Sequence, residues 1–118
     1  MGLALSLADA AVPAPKLGAL YGMNGGFKAK PGQRAALAAV LLEGIEAMPG
    51  CLHYVVAEDL GDADVLWISE VWDSKASHDA SLALPAVRAA IAKGRPMIAG
   101  FVPGPETRVL GGIGLPRR

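Results

Sequence analysis

Two histidines, one carboxylate set among apolar residues and a few ring and amide donors are the side chains in this sequence whose types could do chemistry. His53 and His78 are its only imidazoles, and a neutral imidazole within hydrogen-bond reach of an acidic O–H or C–H acts as a general base. Glu70 lies inside Leu66-Trp67-Ile68-Ser69-Glu70-Val71-Trp72, where a carboxylate has to be met by hydrogen-bonding or charged neighbours. Such a group either orients a base or orders a buried network. Tyr21, Asn24, Tyr54 and the indole N–H groups of Trp67 and Trp72 are donors able to hold a substrate and stabilise a developing oxyanion. His53, His78 and Glu70 are thus the candidate catalytic residues, with either imidazole eligible as the base.

Other chemistries lack their residues. Cys51 is the single cysteine, so no intrachain disulfide framework exists, and two histidines with one cysteine do not make a zinc-like cluster. The glycines around the first strand do not form the G-x-G-x-x-G turn of a dinucleotide site. No metal or cofactor is expected. Eleven basic residues balance eleven acidic ones, which gives no general reason to expect nucleic-acid or anionic-membrane binding. There is no run of about 18 apolar residues to span a membrane, and Met1 to Pro15 lacks a basic n-region, so the sequence reads as a cytoplasmic protein with a loose N-terminal arm.

The elements that must position these residues follow from periodicity. Asp64 to Trp72 reads as a strand with Val65, Trp67, Ser69 and Val71 on one face and Leu66, Ile68, Glu70 and Trp72 on the other. Both faces are largely apolar, so each needs a covering layer, and the two tryptophans divide between them. Lys16 to Lys28 reads as an earlier strand whose glycines imply close packing or a ligand against the backbone. Pro31 to Met48 has helical spacing and is stopped by Pro49-Gly50, with Arg34, Glu43 and Glu46 towards water. Cys51 to Glu58 forms a hairpin with the Asp64 to Trp72 strand; pairing Glu58 with Val65 would place His53 opposite Glu70.

Asp73 or Ser74 caps a helix carrying Lys75, His78 and Asp79, and Pro85 begins a second helical piece to Gly94. Met97 to Val102 supplies a fourth strand, and Thr107 to Leu110 an extension. The reading is an N-terminal arm at 1–15, one α+β domain at 16–110 and a glycine-containing tail at 111–118. Its architecture is a four-stranded antiparallel sheet with helices on one face, two copies meeting through their bare faces as a barrel-like homodimer.

Three segments carry a family resemblance: Met48-Pro49-Gly50-Cys51-Leu52-His53-Tyr54-Val55-Val56, Leu66 through Lys75, and His78-Asp79-Ala80-Ser81-Leu82. Over about Lys16 to Val102 the chain resembles the antibiotic biosynthesis monooxygenase domain family, including its quinol monooxygenase-like members. The resemblance implies a ferredoxin-like fold dimerising through its sheets as a dimeric α+β barrel. Glu70 and Trp72 match the family's glutamate and aromatic on the third strand, His78 the histidine on the next helix, and Pro49, Gly50 and Tyr54 its helix-to-strand transition. Asn24 with Gly25-Gly26 does not reproduce the arrangement of the haem-degrading members.

The function implied is cofactor-independent oxidation of a small quinol-like or polycyclic aromatic by dioxygen. Triplet dioxygen reacts slowly with closed-shell molecules, so without flavin or metal the substrate, once deprotonated, must supply the electrons. Two alternatives stay open: a cofactor-free isomerase of a small metabolite, and a non-enzymatic dimer that binds a small aromatic. Cys51 is expected to be inert.

Overall fold

A computed structural model describes residues 20–45 and 48–115. The elements are β1 (Tyr21–Ala29), α1 (Arg34–Glu43), β2 (Cys51–Glu58), β3 (Val65–Trp72), α2 (Lys75–Ser81), α3 (Pro85–Gly94), a 3-10 turn (Arg95–Met97), β4 (Ile98–Val102) and β5 (Glu106–Arg108). The expected N-terminal arm, residues 16–19 of the first strand, the Glu46 position and the last residues of the tail lie outside the described residues.

β3 is buried because it has strands on both sides. The sheet order is β2-β3-β1-β4, with β5 pairing the start of β1, and every pairing is antiparallel. Leu66 and Trp72 on the helix-facing side of β3 are almost wholly buried, and the core also takes in Leu20, Tyr21, Ala29, Leu37, Val40, Val65 and Ile68. Leu66, Ala29 and Leu37 form the packed centre, with Phe27, Leu41, Val56 and Ile98 against it. That contact joins α1 to the sheet by burying its Leu37 side, where helix propensity alone would leave a ten-residue helix marginal.

One part of the expected architecture is corrected. The antiparallel sheet with helices on one face is present, but it is open and not closed into a barrel. Closure requires the two outermost strands to pair with each other, whereas β2 pairs only with β3 and β4 only with β1 among the described residues. Among the described residues both outer strands therefore keep a free edge.

Local departures have local causes. Pro31 is not at the first helical position: Pro31-Gly32 form a turn closed by Gln33 N–H to Lys30 O at 2.9 Å, with Gly32 at φ +80, and the helix starts at Arg34. It ends at Glu43, short of Met48. Arg34 is not a solvated side chain but a staple, donating from Nη1 to the carbonyls of Asp59 at 3.1 Å and Asp62 at 2.8 Å in the β2–β3 loop. The glycines of β1 serve the chain's own packing. A Cβ on Gly26 would meet Leu66 O at 2.9 Å and the Trp67 ring at 3.0 Å, and one on Gly22 would collide with Thr107.

Ser74 caps α2 as expected, accepting from Ser77 N–H at 3.1 Å, and Pro85 opens α3. No helix among the described residues is long and apolar enough to cross a membrane.

Candidate functional site

Between the helices and the inner sheet face lies a cavity of about 620 Å³. Its floor is Phe27 of β1, Tyr54 of β2, Glu70 and Trp72 of β3, and Ile98 and Phe101 of β4. Leu37 and Leu41 of α1 wall one side, while His78 and Ser81 of α2 and Val87, Ala90 and Ile91 of α3 wall the other, and Arg95 follows at the end of α3. Apolar side chains dominate, with a few polar groups among them, the composition of a small-molecule site.

Strand parity explains which polar groups arrive. Glu70 and Trp72 alternate inward with Leu66, and Tyr54 is the direct cross-strand neighbour of Glu70. Trp72 Nε1–H donates to Glu70 Oε1 at 2.9 Å, which supplies the partner this enclosed carboxylate requires. Burial, then the charge of Glu70, push the Tyr54 phenol well above the usual tyrosine range, so it remains an O–H donor.

His78 reaches the cavity from α2 and is buried. The Trp72 ring meets it edge-on at 5.5 Å between centroids, and Tyr21 lies tilted against it at 5.6 Å. Its Nδ1 is 3.0 Å from Asp79 Oδ1, and Asp79 is also held by Lys75 Nζ at 3.3 Å. Hydrogen bonding to His78, with Lys75 adding to it, holds the Asp79 carboxyl below its ordinary range. The Tyr21 hydroxyl donates to Glu106 Oε2 at 2.5 Å. Burial first, and that bond second, push the Tyr21 phenol up to about 12.

A model of the antibiotic biosynthesis monooxygenase family matches residues 21–93. The chain belongs to that family. A solved structure of a proposed antibiotic biosynthesis monooxygenase from Chloroflexus aurantiacus J-10-fl is 56% identical, covering 82% of this chain and 99% of that one with a TM-score of 0.80. A second proposed family member, from Caulobacter crescentus, is 19% identical over 84% of this chain and 97% of its own, at a TM-score of 0.70. A Mycobacterium tuberculosis protein is 23% identical over 80% and 98%, at a TM-score of 0.67. The last two likenesses concern the fold. No curated protein matches the sequence.

Within this family member the expected site residues separate into two groups. His78, Glu70, Tyr54 and Trp72 come together at the cavity, with Tyr21 behind His78. His53, Asn24 and Trp67 do not. His53 is exposed and pairs with Val71, because the register that starts with Glu58 opposite Leu66 at the hairpin places Tyr54, not His53, opposite Glu70. The expected His53–Glu70 pairing is thereby corrected; Glu58 faces Leu66 instead of Val65. Asn24 and Trp67 line a shallower groove of about 350 Å³ on the other sheet face, beside Val55, Ser69 and Pro103. Trp67 Nε1–H donates to Asp59 Oδ1 at 2.8 Å.

Asp79 and Glu106 bond to this cluster without being among the expected site residues. The adjacency of Asp79 to His78 was a visible signal. Glu106 had none, because its partner Tyr21 is 85 residues away. Among the described residues no group of three or more His, Cys, Asp and Glu side chains could hold a metal ion.

Proposed function

We propose that this protein oxidises a small quinol-like or polycyclic aromatic with dioxygen, the substrate itself supplying the electrons. Family membership supports oxidoreductase chemistry in general. The observation that carries the finer reading is His78: a buried imidazole on the wall of an apolar cavity, bonded through Nδ1 to Asp79. Nε2 makes no hydrogen bond to a described residue, and among the described residues no buried side-chain nitrogen or oxygen lacks a partner.

In this proposal His78 Nε2 takes the proton from a substrate hydroxyl. The resulting phenolate gives one electron to dioxygen, and the two radicals join at a ring carbon as a hydroperoxide. Loss of water then yields a hydroxyquinone. One quinol and one dioxygen give one hydroxyquinone and one water, so one oxygen atom enters the product and no outside reductant is consumed. The Tyr54 hydroxyl is the donor placed to meet the anion as it develops, while the Trp72 N–H is taken up by Glu70.

We also assign the outer sheet face to contact between two copies of the chain. Val55 and Trp67 are exposed there, 43% and 40%, on a side that no helix among the described residues covers.

The test is oxygen uptake by purified protein supplied with small hydroquinones, with spontaneous oxidation subtracted and labelled dioxygen traced into product. One labelled atom per product molecule is the expected result. Turnover that requires added flavin, reduced nicotinamide or a transition metal defeats the proposal, and product formed without oxygen favours an isomerase.

A further inference from the structure

We propose that Asp79 is a positioning residue for His78: it keeps the imidazole proton on Nδ1, which leaves Nε2 as the acceptor atom available to the cavity. The proposal rests on the reading of His78 as the base and adds how that base is prepared.

Neighbouring residues on an α-helix point about 100° apart and do not ordinarily face each other. Yet His78 Nδ1 and Asp79 Oδ1 are 3.0 Å apart. The ring has turned back to the carboxylate, and the surroundings keep it there. Trp72 from β3 and Tyr21 from β1 pack against the imidazole at 5.5 and 5.6 Å. Lys75, one turn earlier, reaches Asp79 Oδ2 at 3.3 Å and stands 5.7 Å from the centre of the Tyr21 ring. The carboxylate is therefore held between the imidazole and the ammonium.

The other charged groups near the ring are already engaged. Glu70 accepts from Trp72 Nε1 at 2.9 Å, and Glu106 accepts from the Tyr21 hydroxyl at 2.5 Å. Asp79 is the carboxylate bonded directly to His78 among the described residues. An ionised carboxylate accepts hydrogen bonds and donates none, so against a neutral imidazole it requires the proton to be on Nδ1. The bare nitrogen is then Nε2, the one without a described partner. Without that bond the proton is free to sit on Nε2, and the atom that should accept the substrate proton becomes a donor.

Asp79 is half exposed, with a side-chain accessibility of 53%. Its pairing in water adds little to stability. Choice of tautomer, not fold stability, is its consequence.

The decisive measurement is long-range proton–nitrogen NMR of the full chain labelled with ¹⁵N-histidine, at a pH where the neutral imidazole predominates. His53→Gln distinguishes the two histidine signals. The expected wild-type spectrum has His78 protonated on Nδ1. Asp79→Ala and Asp79→Asn both move population to the Nε2-protonated form, because the alanine removes the acceptor and the amide N–H₂ of asparagine can donate to Nδ1. With hydroquinone as substrate, Asp79→Ala and Asp79→Asn each lower kcat by about 10- to 100-fold and leave KM within about twofold. Wild-type His78 protonated on Nε2, or an unchanged tautomer in Asp79→Ala, overturns the proposal. If the tautomers behave as expected but His78→Gln turns over hydroquinone like wild type, the positioning pair stands and the assignment of His78 as base fails.

Discussion

The indole N–H of Trp72 donates to Glu70 Oε1 at 2.9 Å, joining two residues that share the inner face of one strand. Trp72 is almost wholly buried, so its N–H has no water to fall back on. Removing the acceptor leaves that donor unsatisfied, at a cost of about 1–3 kcal/mol. Glu70→Ala is expected to lose stability on that scale in urea denaturation, and Glu70→Gln, which retains an amide oxygen, to lose clearly less. Equal losses in both variants would show that the carboxylate charge, not the hydrogen bond, matters to the fold.

The two histidines provide an internal comparison. His78 lies at the cavity, whereas His53 is exposed beside Val71 and Val55 on a different sheet face. His78→Ala should lower kcat/KM for an oxidisable hydroquinone by about 100-fold or more, the lower range for loss of acid–base assistance. His53→Ala should leave it unchanged. Loss of turnover in His53→Ala with retained activity in His78→Ala would reverse the assignment.

Tyr21 offers a test by pH. Its phenol is raised to about 12 by burial and by the bond to Glu106, above the ordinary value of 10 that it regains on unfolding. The folded state therefore holds this proton more tightly. Its contribution to stability is fully present below pH 10 and is lost as pH rises through 10 to about 12. Ultraviolet titration should show one tyrosine ionising late in that window, and Glu106→Gln should lower its midpoint. A midpoint near the ordinary value would contradict the Tyr21–Glu106 bond.

The outer face makes a prediction about assembly. Trp67 is 40% exposed, with its ring against Gly26 and its N–H on Asp59. Trp67→Glu should convert a dimer to a monomer in sedimentation velocity, because a charge at the centre of an apolar contact is costly to desolvate. A wild-type protein that sediments as a monomer at micromolar concentration removes the proposed contact.

Alternation and capping were legible in the residues themselves. The run from Val65 to Trp72 divides Leu66, Ile68, Glu70 and Trp72 from Val65, Trp67, Ser69 and Val71 in any extended conformation, since the pleat alone sets that division. Ser74 and Pro85 marked their helix starts by backbone chemistry that acts over one turn. The family resemblance was carried by the same local segments. Which of two apolar faces meets the helices is not local, so Trp67 and Trp72 could be separated but not assigned until α1, α2 and α3 were in place. Register is likewise a property of two strands: Glu58 paired with Leu66, one residue from Val65, and this set Tyr54 opposite Glu70 and His53 opposite Val71. Whether a sheet closes depends on its outermost strands meeting, and here β2 and β4 do not pair. The bond from Tyr21 to Glu106 spans nearly the whole domain. Only the antiparallel addition of β5 to β1, with Tyr21 paired to Arg108 and Met23 to Glu106, brings those two side chains together, because side chains far apart in sequence meet only where the packed backbone carries them.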